Sequence, residues 1–386
     1  MSASRELMIE VYNSVSGAAF FQRLLQEWRD TGARVTTYEA ISESDYRARR
    51  GLIGRLALRW RMYAGYTWVC WRGARRQQDD STLRVVTTNP FFAPALVRWT
   101  SRGRGKTIHL LYDLFPEALV QAGTIKPDSW MATRCAAITR YSLRECAATV
   151  FLGERLRTYT EAVYGSAQRA VVIPVGADGA PFRNFPPQAL SPGSIPRILY
   201  SGLMGSMHDS ATLVTASSDE SFTGVSWAFH ASGVGYTRLQ QAVGVRPNVG
   251  WGSALPDAAW QDTMKQAQVA LVTIAPGAER VVMPSKTYSA LVAGQAILAI
   301  CSRASDLADL VIKHDCGWVV EPGDAVCLSK VIAAIARDSV GLLAKRENAF
   351  AAGHRYYDMT PVAAQWTTLF ADLNAGGLRA TELCSA

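Results

Sequence analysis

The residues with the clearest chemical potential run from Arg280 to Gly294, R-V-V-M-P-S-K-T-Y-S-A-L-V-A-G. Pro284 and Ser285 stand where a short helix would open, Ser285 being of the type whose hydroxyl accepts from a backbone N–H two or three residues on, and Gly294 stands where the helix would close. Lys286 puts a cation into the first turn. Unpaired N–H groups and the helix dipole would point outward together with that charge, which is a place for phosphate. The alternative is an ordinary helix start that holds only water.

Three other sets bear chemistry. Asp113 and Glu117 follow the apolar run Thr107 to Tyr112 in Y-D-L-F-P-E. Acids just past a strand end are where α/β proteins place working residues, although Asp113 could instead cap the following turn. The loop G-L-M-G-S-M-H-D (202 to 209) offers Gly202, Gly205 and His208 as contacts for a pyrophosphate, or His208 as a plain turn histidine. The Ser16-Gly17 turn after the first strand is a weaker anion cradle, equally readable as a tight turn. His109, His230, His314 and His354 lack metal-ligand spacing and read as structural, so no metal is expected.

A different kind of signal comes from Tyr46 to Gln78. It holds nine arginines (Arg47, Arg49, Arg50, Arg55, Arg59, Arg61, Arg72, Arg75, Arg76), no acid, and Trp60, Tyr63, Tyr66, Trp68 and Trp71. These nine charges match the formal excess of +8, so the basic character is a local patch. Cationic heads beside interfacial aromatics suit a helix on anionic lipid, at about 1 kcal/mol per cation. They also suit stacking on single-stranded nucleic acid, or a solvated basic helix with its aromatics in the core.

These residues must be positioned by an alternation of strands and helices. Apolar runs at Leu7 to Tyr12, Val35 to Tyr38, Arg84 to Thr88, Thr107 to Tyr112, Ala148 to Leu152 and Val171 to Pro174 are separated by helical patterns such as Phe20 to Thr31, Trp130 to Cys146 and Glu154 to Tyr164. The pattern resumes with strands at Ile198 to Ser201, Ser226 to His230, Asn248 to Gly252, Val269 to Ile274, Ala296 to Cys301 and Gly317 to Val320. Helices are expected at Asp306 to Lys313, Asp324 to Arg337 and Thr360 to Leu373, with a loose tail beyond Ala375. Such alternation predicts parallel, doubly wound sheets, with ligands at the carboxyl ends of the strands. Pro186, Pro187, Pro192 and Pro196 mark a linker. The expected organisation is therefore an α/β protein of two Rossmann-like domains, 1–185 and 197–358, joined by 186–196, with a C-terminal helix (359–375) packing back on the first.

At 386 residues, about half of them apolar, the chain exceeds one hydrophobic core and is not disordered. Its seven cysteines form no C-x-x-C pair, which argues for a reducing compartment and against a zinc site or disulfide framework. No secretion signal or membrane span is expected, so the reading is a cytoplasmic protein, which the basic stretch would hold at the inner membrane face if it lies on lipid.

Several of these stretches resemble, in order, the large retaining glycosyltransferase family numbered four, which has the GT-B fold of two Rossmann-like domains facing a cleft. Y-S-G-L-M-G-S-M-H-D (200 to 209) is similar to the first strand and loop of the donor domain. V-V-M-P-S-K-T-Y-S-A-L-V-A-G-Q-A-I-L-A-I (281 to 300) is similar to the donor-site helix, and C-G-W-V-V-E-P-G-D (316 to 324) to the segment after it. V-I-P-V-G-A-D (172 to 178) resembles the segment before the linker, and Y-D-L-F-P-E (112 to 117) the D-L-x-P-E of polysaccharide-assembly members.

The resemblance implies a nucleotide-sugar donor held by the second domain, an acceptor held by the first, and transfer with retention. A departing diphosphate would meet Lys286 and the N–H groups at Ser285, then Arg280 and His208, with Pro284 shaping the turn and Ser289 at a ribose position; Gly17 would approach from the first domain. Asp113 and Glu117 would orient acceptor hydroxyls. No cofactor is implied beyond the donor itself. The expected partners are that donor, a lipid-linked or envelope glycan acceptor and, through 46–78, an anionic membrane, as in exopolysaccharide biosynthesis. Two family glutamates are replaced here by Val281 and Ser289, which keeps open a non-catalytic glycosyltransferase-like subunit; an epimerase of the same fold is a third reading.

Overall fold

The computed structural model describes residues 7–16, 19–42, 45, 51–76 and 79–382. Gly17, Tyr46, Arg47, Arg49, Arg50, Gln78 and Cys384 lie outside that range, as does the side chain of Arg55. The chain forms two compact units, Met1–Pro174 together with Met359–Ala386, and Val175–Asp358.

The first unit is a six-stranded parallel sheet in the order β2-β1-β3-β4-β5-β6. Its strands are β1 (Met8–Tyr12), β2 (Arg34–Tyr38), β3 (Leu83–Thr87), β4 (Lys106–Leu111), β5 (Ala148–Phe151) and β6 (Ala170–Val172). The helices between them are α1 (Ala19–Asp30), α2 (Leu52–Trp60), a π turn (Arg61–Gly65), α3 (Tyr66–Arg76), α4 (Ala93–Thr100), α5 (Glu117–Gln121), α6 (Trp130–Glu145) and α7 (Glu154–Tyr164). Every residue of β3 is buried, as expected for a strand covered on both faces. One of them is Arg84. Its Nε donates to Glu10 Oε2 at 2.8 Å from the cross-strand position, and its Nη1 donates to the Arg104 carbonyl. Tyr12 and Tyr38 also donate to Glu10 and stack on each other with centroids 4.6 Å apart. The stack forms the floor on which α3 lies. A Cβ on Gly73 would stand 2.8 Å from Tyr38 and 2.9 Å from the Tyr12 hydroxyl, so only glycine admits this approach.

The second unit has the order β12-β11-β10-β7-β8-β9, again all parallel. It contains β7 (Arg197–Leu203), α8 (Ala211–Ala216), β8 (Ser226–Ser232), α9 (Val234–Val243), β9 (Val249–Gly252), α10 (Asp257–Gln266), β10 (Val269–Thr273), α11 (Lys286–Val292), β11 (Ala296–Ile300), α12 (Asp306–Lys313), β12 (Gly317–Val320), α13 (Ala325–Arg337) and α14 (Ser339–Ala352). β10 and β11 are buried throughout. Phe222, Trp227, Phe229 and Trp251 stack in series, with successive centroids 4.5, 5.8 and 4.8 Å apart.

After Asp358 the chain returns to the first unit as α15 (Met359–Glu382). Trp366 and Phe370 meet Trp28 of α1 edge-on at 5.3 and 5.1 Å. This helix runs past Ala375, where a loose tail was expected.

The prolines do not mark the division between units, which falls earlier, at Pro174 and Val175. Residues 175–196 belong with the second unit because they bond and pack there. Gly179 N–H donates to Asp358 at 3.0 Å, Phe182 lies edge-on to Trp260, and Arg346 donates to the Gln188 carbonyl at 2.8 Å. Pro187 lacks a donor but still offers a ring, packed so closely on Gly294 that a Cβ there would come within 2.7 Å.

Candidate functional site

In the second unit the strand order reverses between β7 and β10, the crevice where doubly wound sheets bind ligands. The loops leaving these two strands carry most of the sequence candidates. They are tied together by the Ala275 N–H donating to the Met207 carbonyl at 2.8 Å. Met204 is pinned from the other side, its N–H donating to Ser232 and its carbonyl accepting from Gly235. Gly202 has a φ of +107°, which a side chain would strain.

Lys286 lies at this junction. Its Nζ is 3.8 Å from the centroid of Tyr200 and 3.4 Å from the Leu203 carbonyl, which accepts from it. Burial pushes its pKa down to about 7, so the ammonium is held short of its ordinary stability as a cation and gains most from an anion placed beside it. His208 is close by. Its Nδ1 accepts from the Gly205 N–H at 3.2 Å, which assigns the ring proton to Nε2. Burial, and then the charge of Lys286, lower its pKa to about 4, so it is a neutral donor. Gly205 itself contributes backbone, since a Cβ there would make only ordinary 3.8 Å contacts.

The expected cap is absent. Ser285 has helical φ and ψ of −60° and −28°, and its side chain makes no capping bond. Instead the Thr287 N–H donates to the Pro284 carbonyl and Tyr288 to that of Ser285, tightening the first turn. Since α11 spans seven residues, the Lys286 charge rather than the helix end carries the chemistry. Gly294, at φ +67°, does close the helix. Arg280 is exposed at the end of the turn Ala278–Arg280. Val281 is buried in the core, and Ser289 lines a cavity of about 50 Å³ with Lys286, Ser201, Trp260 and Gln295. Sequence reasoning overlooked Tyr200 beneath Lys286, although it heads the Y-S-G-L-M-G run, and Glu279, whose Oε2 is buried without a partner.

In the first unit the two acids part company. The Asp113 N–H donates to Thr88 Oγ1 at 3.2 Å, and burial pushes its carboxyl pKa up to about 6. Glu117 opens α5 but turns away, its Oε1 accepting from Tyr164 at 2.5 Å and from Tyr159 at 3.4 Å. Arg140 lies over the Tyr164 ring at 5.5 Å. Glu117 is thus engaged in bracing α5 on α7, and the structure does not bring it to one ligand with Asp113.

The basic stretch divides by face. Tyr66, Cys70, Gly73 and Ala74 are buried on the Tyr12 and Tyr38 stack, whereas Ile53, Leu56, Trp60, Tyr63, Trp68 and Trp71 are exposed. Arg72 and Arg75 lie over Trp68 and Trp71 at 4.9 and 4.7 Å. Most of its aromatics are therefore outside the core, and Tyr66 alone of the five expected is within it. His230, His314 and His354 each bond a carbonyl or a tyrosine. Among the described residues no cluster of three or more His, Cys, Asp or Glu could hold a metal ion, and no helix is long and apolar enough to cross a membrane.

Two parallel six-stranded sheets flanked by helices match the GT-B fold seen in glycosyltransferase structures. Sucrose-phosphate synthase from Thermosynechococcus elongatus superposes with a TM-score of 0.72 over 96% of this chain and 100% of that one, at 14% identity. HepE of Anabaena, solved with UDP and glucose, gives 0.66 over 95% and 100%, also at 14% identity. In sequence the chain is 24% identical over 240 residues to a probable glycosyltransferase, WbjE, of Pseudomonas aeruginosa, covering 59% of each. No family model matches.

Proposed function

We propose that the protein is a glycosyltransferase that moves a sugar from a nucleotide diphosphate donor to a lipid-linked or other envelope glycan acceptor, with retention at the anomeric carbon. The observation that carries this reading is Lys286 at the β7/β10 crevice, a half-buried cation held by an aromatic face and one carbonyl. A diphosphate leaving group accumulates charge as the glycosidic bond breaks, and a cation already in place stabilises it without reorganisation. His208, as a neutral donor through Nε2, and Arg280 would add hydrogen bonds to the same oxygens, the backbone of Gly202 and Gly205 would shape the loop, and Ser289 would lie toward the nucleoside. The likeness to HepE, solved with UDP-glucose, supports a nucleotide-sugar donor.

The first unit would take the acceptor, with Asp113 as the carboxylate nearest its hydroxyl. The exposed face of α2 and α3 would rest on an anionic bilayer, its aromatics at headgroup depth and its arginines on the lipid phosphates. That placement suits a peripheral enzyme acting on a lipid-borne substrate in polysaccharide assembly.

Calorimetric titration with UDP-, GDP- and dTDP-sugars tests the donor. Saturable binding of one of them, weakened at least tenfold (about 1.4 kcal/mol) by Lys286→Ala, is expected. If no donor binds, with or without anionic vesicles, the catalytic reading fails in favour of a non-catalytic subunit, which the core location of Val281 would then explain.

A further inference from the structure

The core of the first unit contains polar groups that the reading above does not use. Along β4 the side chains of Thr107, His109 and Leu111 share one face by strand alternation, and Asp113 continues that register just beyond the strand end. His109 is 2% exposed, yet neither ring nitrogen has a protein partner. Ser142 Oγ on α6, and Thr149 Oγ1 on β5 directly across from His109, are likewise buried and unpartnered. Leaving such groups unsatisfied is costly, so a cluster of them in the core calls for a partner of its own.

The space for one is present. A cavity of about 10 Å³ is lined by His109, Ser142, Thr139, Thr88 and Asp113, and closed by the rings of Phe91 and Phe115. That volume holds one water molecule, and the lining offers the two to four polar partners that an internal water needs. Thr139 is already committed, its hydroxyl donating to the Phe115 carbonyl at 2.7 Å. Thr88 Oγ1 accepts from Tyr112 and Asp113 N–H groups, which leaves its own hydrogen free to donate.

We propose that His109 is a positioning residue, which holds one internal water between its ring, Ser142 and the Asp113 carboxylate and so fixes the orientation and ionisation of Asp113 from beneath. The imidazole is neutral at any working pH, because complete burial lowers its pKa to about 3. It therefore presents one donor and one acceptor, and the water it anchors accepts from it and donates to Asp113. Such a bond favours the charged form of a carboxyl whose burial opposes charge. His109 and Asp113 are the titratable groups of this lining. Tyr112, next in the chain, stays protonated because burial and the Asp113 charge both raise its pKa.

The proposal rests on Asp113 as the acceptor-side carboxylate, but its test does not need turnover. With ¹³C-carboxyl-labelled aspartate, and Asp113→Asn to assign the signal, the Asp113 titration is followed by NMR in wild type, His109→Leu and His109→Gln. In H109L the midpoint rises by about one pH unit, whereas in H109Q, which keeps a donor in the cavity, it stays within about 0.3 of wild type. The acid limb of kcat/KM moves with it. An unchanged midpoint in folded H109L overturns the relay. If H109L does not fold, Ser142→Ala decides: a rise of roughly half a unit supports the water site, and no rise removes it. A shifted titration in a protein without transferase activity would refute the proposed function and leave the relay standing.

Discussion

The two sheets present crevices at the carboxyl ends of their strands through opposite interiors. The second fills its core with stacked aromatics and presents a cation, Lys286, resting on Tyr200. The first buries an ion pair, Glu10 with Arg84, and a column of polar side chains beneath a carboxyl, Asp113. Burial opposes the charge in both places, lowering the lysine to about 7 and raising the aspartate to about 6. An under-solvated cation gains from an anion, and an under-solvated carboxylate gains from a hydroxyl that donates to it, so the proposed donor and acceptor sites would differ in this respect.

The largest test of this contrast is in the cores. Arg84→Met strands the Glu10 charge in a dry interior and should destabilise the first unit by about 3–5 kcal/mol. Calorimetric unfolding should show one transition fall while that of the second unit holds, and equal movement of both would dissolve the distinction. Next comes the sign of the ligand. Lys286→Glu should weaken donor binding at least a hundredfold, about 2.8 kcal/mol, with Asp113→Asn leaving it within about twofold. Donor loss in both variants would mean that the crevices are not specialised.

The two crevices should also respond oppositely to pH. Lys286 is charged below about 7 and neutral above it, so affinity for an anionic donor should fall as pH rises through 7, with proton uptake on binding above that pH. Asp113 is ionised above about 6, so turnover should fall as pH drops through 6. A bell in kcat/KM between these limits is expected, and Asp113→Asn should flatten its acid side. The smallest effect is at Ser285. Since it makes no capping bond, Ser285→Ala should change stability by less than about 0.5 kcal/mol, against about 1 for a working N-cap.

The sheets were legible in the sequence because buried strands announce themselves. V-A-L-V-T and A-I-L-A-I are continuous apolar runs between helical patterns, and helices with clean boundaries, such as Glu154–Tyr164 and Asp306–Lys313, were expected at those residues. Among the helices that went unforeseen are Val234–Val243, Asp257–Gln266 and Ser339–Ala352. The first begins V-G-Y-T after a glycine at φ +110°, and the last carries small residues around its circumference, so neither shows a clear apolar stripe. The site residues were named from their types, but their working environment is tertiary. Tyr200 is 86 positions from Lys286, and the tyrosines that occupy Glu117 lie 42 and 47 positions beyond it. Arginine count likewise could not say which aromatics of 46–78 face outward. That followed from Gly73, a residue with no charge or ring, whose contact with the Tyr12 and Tyr38 stack decides how α3 lies.

The return of α15 to the first unit has a consequence for biosynthesis. Trp28 is made early and is covered by Trp366 and Phe370, which are made more than 330 residues later. Throughout that interval a ribosome-bound chain carries the first sheet with an uncovered aromatic face, while the whole second unit, Val175–Asp358, can complete its own core. The unit that starts first therefore finishes last, and chaperone dependence should track the exposure of Trp28.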